Sequence, residues 1–527
     1  MTHEVFNQPP PYADRNLLAD NLPLSQAMNW SGAGWARERA GELASTVGDA
    51  LWMERAERAN RCEPVLRTHD RYGHRVDEVD FHPDWHAFMS LSIGAGLHSM
   101  PWTTPRGHAA RAAMFMLVAQ VEAGHGCPVS MTYSSIPTLR QNPELAAEWE
   151  PLITSTAYDF GLRAPQLKQG LVLGMAMTEK QGGSDVRANT TRAERVDGGY
   201  ALTGHKWFCS APMSDAFLVL AQAPGGLSCF LLPRVLPDGT RNSMRLMRLK
   251  DKLGNRSNAS SEVEYDRAFA HLVGEEGRGV RTIIEMVSHT RLDCVLATTA
   301  GMRQSTVEAV WHATHRSAFG AHLRDQPLMA RVLADLCVEY EAALVTAMRL
   351  AAAHDDPADT AFRRLAAPVA KYWVCKRGPA HAAEALECLG GNGYVEEAPL
   401  ARRYREQPLM SVWEGSGNVI SLDVLRALAT SPESGQAFLD ELVTGAHPSL
   451  DAHVRRLKRQ LAEGVAPEDA RLLTENLALA LQGSLLARHS TDEVLDAFCA
   501  SRLEAGRGHS YGATAMDAKA IIDRHLP

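Results

Sequence analysis

Glu414 lies between an indole and a run of small residues, in Trp413-Glu414-Gly415-Ser416-Gly417-Asn418, just before the apolar run Val419–Leu428. A carboxylate beside Trp is partly desolvated, which favours its protonated form and suits it to take a proton from carbon. Judged singly, a plain helix start, where a Glu favours the dipole, is the commoner setting for these residues. Upstream, Met177-Thr178-Glu179-Lys180-Gln181-Gly182-Gly183-Ser184-Asp185 combines hydroxyls with glycines. Hydroxyls can bond the polar edge of a planar ring system. Main-chain N–H groups freed by glycine can approach a phosphate or a ring carbonyl closely. An ordinary Gly-rich turn has the same composition. Gly204-His205-Lys206-Trp207-Phe208-Cys209-Ser210 sets two aromatics beside a hydroxyl, either as cover for a ring face or as barrel core. His315–Gly320, followed by Gln326 and Pro327, puts Arg316 near a helix end, where it can pair with a pyrophosphate or stay solvated. In Glu387–Tyr394 the glycines end a helix, and they leave room for main chain to approach a cofactor. His312 and His315 are three apart on one helical stretch, but no further ligand is near, so no metal site is expected.

Four regions position these residues. Residues 1–170 read as a mostly helical N-terminal domain, with apolar groups at helical spacing in segments such as Arg111–Glu122. Residues 171–275 change to short β-branched and aromatic runs, among them Ala216–Ala221 and Leu227–Leu232, separated by Gly turns. That pattern predicts a compact antiparallel barrel or sandwich. Residues 276–432 return to helix. Leu333, Leu336, Tyr340, Ala343, Leu344, Ala347 and Leu350 form one buried stripe, and a second helical run from about Ala361 stops at Cys388. Ala429–Gly435 reads as a linker, and residues 433–527 as an extra helical domain. The expected fold class is mostly α with a central β domain.

Composition narrows the function classes. Of 527 residues, 45% are hydrophobic and 22% charged, ordinary globular values that allow a large core. The net charge of −8 favours no polyanionic partner overall, so nucleic-acid binding needs a local basic patch. Nine scattered cysteines with no C-x-x-C argue against a disulfide framework and fit a reducing, cytoplasmic setting. No signal peptide is read at the N-terminus, and no apolar run is long enough to span a membrane.

The order of these blocks along one chain is far more specific than any one of them. It resembles the acyl-CoA dehydrogenase superfamily, whose chains show T-E-P-x-x-G-S-D, then K-x-W-I-T/S, R-x-x-F-G with a following Gln, Q-x-x-G-G-x-G-Y and Y/W-E-G-T/S. Phe6-Asn7-Gln8-Pro9, Lys250–Ser260 and the extra C-terminal region resemble its alkylation-response, AidB-type branch.

The resemblance implies an N-terminal helical domain, a β domain and a four-helix bundle, assembled as a homotetramer that binds FAD. It implies that Met175, Met177, Thr178, Gly183, Ser184, Phe208, Cys209 and Ser210 line the flavin, and that Trp413, Gly415, Ser416 and Asn418 approach the same ring. Arg316, Phe319 and Gln326 would reach the ADP half of a neighbouring subunit's cofactor. Glu414 matches the general base that takes the α-proton of an acyl-CoA thioester while the β-hydrogen leaves as hydride. Three departures stand out: Lys180 for the usual Pro, Glu387 for the usual Gln, and Cys209 for the usual Ile or Val. Glu387 introduces a carboxylate that could repel a pyrophosphate. The branch also implies protection of DNA from alkylation through non-specific binding of double-stranded DNA, with Arg426, Arg455, Arg456, Lys458 and Arg459 as the contacting cations. Against that, residues 433–527 hold ten Lys and Arg against fourteen Asp and Glu, a balance of −4. A metabolic acyl-CoA dehydrogenase with no DNA role is the alternative, and a flavin-free scaffold is a third reading.

Overall fold

The β-rich stretch closes on itself. In the computed structural model, which describes residues 2–527, seven strands run from Leu173–Ala176 to Ser260–Val273. Ala216–Ala223 and Gly226–Pro233 form a tight hairpin, Ala216 opposite Pro233 and Ala223 opposite Gly226. Gly226–Pro233 pairs with Ser260–Val273, which pairs with Gly199–Ser210, then Arg192–Val196, which meets Ala216–Ala223 again at Arg192 and Gln222. That circuit closes the sheet on itself, with Leu173–Ala176 and Met244–Leu249 each paired along one side outside it. The sheet is not wholly antiparallel. Leu173–Ala176 lies parallel to Ala216–Ala223, as does Arg192 beside Gln222, because these strands are joined by long connections that can reverse the chain.

The chain groups into two compact units, one of residues 54–105 and 122–290, the other of residues up to 53, 106–121 and 291–527. The first contains the barrel, the helices Pro83–Gly94, Gly126–Leu139 and Pro143–Ile153, and a hairpin, Val65–His69 with Arg75–Asp80. The hairpin is a strand pair inside a region expected to be helical. In this unit Glu122 is sealed from water and accepts bonds from Gly124 N (2.9 Å), His125 N (2.8 Å), His125 Nδ1 (2.6 Å) and Ser257 Oγ (2.6 Å). Burial alone would raise its pKa, but these bonds, His125 above all, hold it down to about 2. The Lys250–Ser260 segment is anchored there through Ser257.

The second unit is helical. Gly107–Ala119 is buried on every side, and its Arg111 forms a buried pair with Asp293. Pro327–Asp355 and Thr360–Cys388 realise the two long helices expected from their stripes. The linker expectation fails. Ser431 precedes Pro432, a helix start with Pro at the first turn, and Pro432–Asp440 is helical almost directly after Gly417–Thr430. Residues 433–527 belong to the same compact unit as the bundle. Arg502 Nη2 bonds Asp335 (2.6 Å) and Glu339 (2.9 Å), Arg377 Nη2 bonds Glu339 (2.7 Å) and Tyr511 OH (2.9 Å), and Gly512 N bonds Asp335 (2.9 Å). Glu341 likewise accepts from Arg524 (2.7 Å) and His525 (3.0 Å). All nine cysteines are free thiols, and no helix among the described residues is long and apolar enough to cross a membrane.

Burial works against ionised Glu339 and Glu341, yet their cations hold both at about 2. Burial pushes His381 down to about 4. Depressed carboxylates stabilise above their unfolded value near 4.3 and lose that contribution as pH falls toward 2. A depressed His is lost as pH falls from about 6.5 toward 4. Thermal unfolding followed against pH is therefore expected to show falling stability below about pH 6.5. Glu339→Gln should cost about 3–5 kcal/mol and open the chain near Tyr511 to limited proteolysis.

Candidate active site

On the barrel unit, the Met177–Asp185 segment leaves the strand Leu173–Ala176 and turns back at once. Glu179 N bonds Gly182 O (3.2 Å), Gly182 N bonds Glu179 O (3.0 Å), and Gly182 has φ +142. A Cβ on Gly183 would sit 2.4 Å from Thr178 Oγ1, so only glycine fits without moving Thr178. Glu179 is fully buried. It accepts from Lys206 Nζ (2.9 Å), Thr190 N (2.7 Å), Thr190 Oγ1 (2.9 Å), Thr191 N (3.1 Å) and Gln181 Nε2 (2.7 Å). Burial raises its pKa, but these donors overcome that and hold it far below the usual carboxylate range. Lys206 also donates to Leu220 O (2.8 Å) and Met177 O (3.3 Å), so the pair ties the segment to two strands.

This leaves Met175, Met177, Thr178 and Gly183 half-buried and Ser184 exposed. Thr178 O accepts from Trp207 N (2.8 Å), which aligns the segment with the Gly199–Ser210 strand. There Trp207 and Ser210 are half-buried and Phe208 is 50% exposed, with Lys250 Nζ 3.2 Å from the Trp207 ring centroid. Cys209 is different. Its side chain is fully buried, and burial pushes its thiol up to about 12. A register shift between Lys206 and Cys209 breaks the alternation, turning Phe208 outward and Cys209 inward. A ligand on this face would meet Phe208 and Ser210 rather than the thiol. Just past the strand, Asp215 pairs with Lys168 and accepts from Val172 N (2.9 Å), fixing the ends of both strands.

On the helical unit, the Trp413–Asn418 turn precedes the helix Gly417–Thr430. Glu414 and Gly415 both have left-handed backbone, φ +58 and +109. Arg291 Nε donates to Glu414 O (3.2 Å) while its Nη1 bonds Asp423 (2.7 Å), which also receives Arg364 (3.0 Å). Lys371 Nζ donates to Gly415 O (2.5 Å). Trp413 packs on Cys294, Cys375 and Met410. Ser416 caps the helix with no side-chain bond, so the first main-chain N–H groups stay open. Arg471 Nη1 reaches Asn418 Oδ1 (3.3 Å), and a Cβ on Gly417 would meet Lys376 Cε at 2.8 Å. The turn therefore joins an open helix N-terminus to two nearby cations, a setting for anionic oxygen. Sequence reasoning missed Arg291, Lys371, Lys376 and Arg471, since no local motif marks them.

Arg316 and its neighbours form a separate feature. Ser317–Ala318 and Ala321–His322 pair as a small hairpin whose tip, Phe319-Gly320, has φ +52 and +83. Phe319 is 100% exposed, Gln326 Nε2 bonds Ala318 O (3.0 Å), and Arg316 Nη1 bonds Asn7 O (2.7 Å). Asn7 bonds Ser317 through both its donor and its acceptor, at 2.8 Å each, which gives the Phe6–Pro9 segment a structural task. Glu387 is exposed at the end of its helix.

Family models match three stretches: "Adaptive response protein AidB N-terminal domain" over residues 7–160, "Acyl-CoA dehydrogenase, middle domain" over 174–268, and "Acyl-CoA dehydrogenase, C-terminal domain" over 277–429. The chain is 45% identical over 521 residues to the Escherichia coli protein called "Putative acyl-CoA dehydrogenase AidB", covering 96% of this chain and 95% of that one. The chain belongs to the AidB-type acyl-CoA dehydrogenase family. It is also 30% identical to Caenorhabditis elegans acyl-CoA dehydrogenase family member 11, over 84% of this chain and 76% of the relative. Among solved structures, C. elegans ACDH-11 in complex with C11-CoA superposes with TM-score 0.85 at 24% identity, over 99% and 97% of the two chains. An acyl-CoA dehydrogenase complexed with FAD from Bacillus anthracis gives 0.71 at 15% identity, over 98% and 91%. At those identities the structures speak to fold alone. Membership makes the chain an acyl-CoA dehydrogenase-like oxidoreductase.

The AidB-type chain also carries the basic helix. On Pro448–Glu463, Val454 and Leu457 point inward, whereas Arg455, Arg456, Lys458 and Arg459 are exposed; Arg426 is exposed on its own helix. The first test of the site concerns its buried anchor. Glu179→Gln leaves the Lys206 ammonium buried without its countercharge, and denaturant unfolding is expected to show a loss of about 3–5 kcal/mol.

Proposed function

We propose that this chain binds FAD and dehydrogenates an acyl-CoA thioester, with Glu414 as the base. The observation that carries the reading is the Trp413–Asn418 turn, where the candidate base sits on a fixed left-handed backbone next to an open helix N-terminus. Each unit, taken by itself, carries features that suit part of a flavin dinucleotide. Gly183 leaves no room for a side chain beside Thr178, Met175, Met177 and Ser210 offer a mixed apolar and hydroxyl face, and Ser416, Asn418, Lys376 and Arg471 suit phosphate oxygen. The FAD complex of the Bacillus relative and the C11-CoA complex of the nematode relative point to the same ligand classes.

When bound, FAD supplies the hydride acceptor. The remaining steps fall to this chain. The Glu414 carboxylate takes the α-proton. Its main-chain carbonyl is fixed by Arg291, so little reorganisation accompanies proton transfer. Trp413, seated on sulfur and methyl groups, shields the turn from water on the bundle side. The hairpin tip, where Phe319 is fully exposed, supports assembly into a homotetramer in which Arg316, Phe319 and Gln326 serve a neighbouring subunit's cofactor.

The second part of the proposal is protection of DNA from alkylation in the cytoplasm. Its support is the basic face of Pro448–Glu463, with Arg426 as a further cation. Contact with double-stranded DNA through these side chains would be independent of sequence and sensitive to salt.

Glu414→Gln is expected to keep bound flavin but to slow its bleaching by undecanoyl-CoA by at least about 100-fold; bleaching at the wild-type rate removes Glu414 as base. A filter-binding titration should show DNA retained at low salt, released at high salt, and lost when Arg455, Arg456, Lys458 and Arg459 become Ala. No retention at low salt removes the DNA role and leaves the metabolic one.

A further inference from the structure

Lys371 stands out among the charged groups that neither the proposed reaction nor the folding clusters explain. It lies within Thr360–Cys388, is 1% exposed, and is among the largest fully buried side chains. Its one hydrogen bond among the described residues goes to Gly415 O, at 2.5 Å, and no carboxylate pairs with it. An ammonium is costly to desolvate, and an aliphatic side chain would fill the same space without that cost. Glu414 and Asp293 are the carboxylates of its neighbourhood, acting with it on the Cys294 thiol. Burial raises the pKa of the Cys294 and Cys375 thiols beside it, so both stay uncharged. Of the other charged groups near the turn, Arg291 and Arg364 engage Asp423, and Arg471 engages Tyr372 OH and Asn418.

The bond falls where the backbone is under most constraint. Glu414 is a residue with a side chain in the left-handed region, and Gly415 follows it there. Such a conformation persists only where surrounding structure holds it. Arg291 holds the first carbonyl and Lys371 the second, from different helices. Gly415 also has no space to relax, since a Cβ there would lie 2.9 Å from Ile420 Cδ1.

We propose that Lys371 is a positioning residue: its buried ammonium grips the Gly415 carbonyl and so fixes the left-handed turn that presents the Glu414 side chain. Its effect on turnover rests on Glu414 being the base, whereas its effect on the turn does not. The grip aims Glu414 and does not bind substrate, so its loss lowers kcat more than it alters KM.

The test is amide hydrogen exchange on the full-length protein, flavin-bound and flavin-free, in wild type, Lys371→Met and Lys371→Arg. In Lys371→Met, amides of residues 413–418 are expected to exchange about tenfold faster or more, from one buried carbonyl left without its donor. Those of Pro327–Asp355 should stay at wild-type rates, and Lys371→Arg should recover most of the protection. With undecanoyl-CoA, Lys371→Met should lose about 10- to 100-fold in kcat with KM within about twofold. Unchanged exchange at 413–418 overturns the proposal. So does equal loss of protection throughout Pro327–Asp355 and Thr360–Cys388, which would make Lys371 a core residue only. Glu414→Gln in the same series separates the two ideas. Full bleaching in that variant defeats the base, while the exchange data still decide Lys371.

Discussion

Charge taken out of water must be paired, and this chain places its buried carboxylates where segments must not move. Glu179 gathers five donors at the exit of the first barrel strand. Asp423 collects two guanidinium groups below the Glu414 turn. Asp335, Glu339 and Glu341 fasten the C-terminal residues to the long helices. In each case the carboxylate is held by several directed bonds, and breaking one leaves the rest uncompensated in a poorly solvated place. Apolar packing makes the helices and strands cohere. These clusters decide which backbone conformation is kept at their ends.

That distinction links fold to chemistry. A barrel strand presents side chains in alternation, but the candidate flavin face here depends on places where alternation fails. The turn at Gly182-Gly183 brings main chain to the surface, and the register shift near Phe208 moves an aromatic outward. A helix bundle presents side chains at helical spacing, but the candidate base lies in a left-handed turn between helices. Both exceptions require support, and in both it comes from a buried lysine: Lys206 for the first and Lys371 for the second. The extra C-terminal region joins the same logic, since Arg471 reaches back to Asn418.

How much of this was legible in the sequence depended on whether the signal was local. The strands Ala216–Ala223 and Gly226–Pro233 were legible because both faces are buried and the turn between them is Pro224-Gly225. The stripe on Pro327–Asp355 was legible because its apolar spacing is regular. Motif order pointed correctly to the family and singled out Glu414, but the left-handed backbone of Glu414 carries no sequence signal. The hairpin Val65–Asp80 escaped because its strands are polar and half-exposed, so alternation carries little contrast. The Ser431-Pro432 step reads as loop by composition, yet the same pair is a sound helix start. Cys209 was set beside the flavin by its place in the family motif, which cannot register a bulge. Lys371, Lys376 and Arg471 carry no motif, because their relation to the turn is tertiary.

The central claim is that flavin binding depends on each of two glycine turns, the one at Gly183 in the barrel unit and the one at Gly417 in the helical unit. The most direct measurement is the visible spectrum of purified protein after saturation with FAD, in wild type, Gly183→Val and Gly417→Val. The account predicts one flavin per chain in the wild type and a marked fall in occupancy in each variant, with folding preserved by far-ultraviolet circular dichroism. A colourless wild-type protein, or full occupancy in either folded variant, would contradict it.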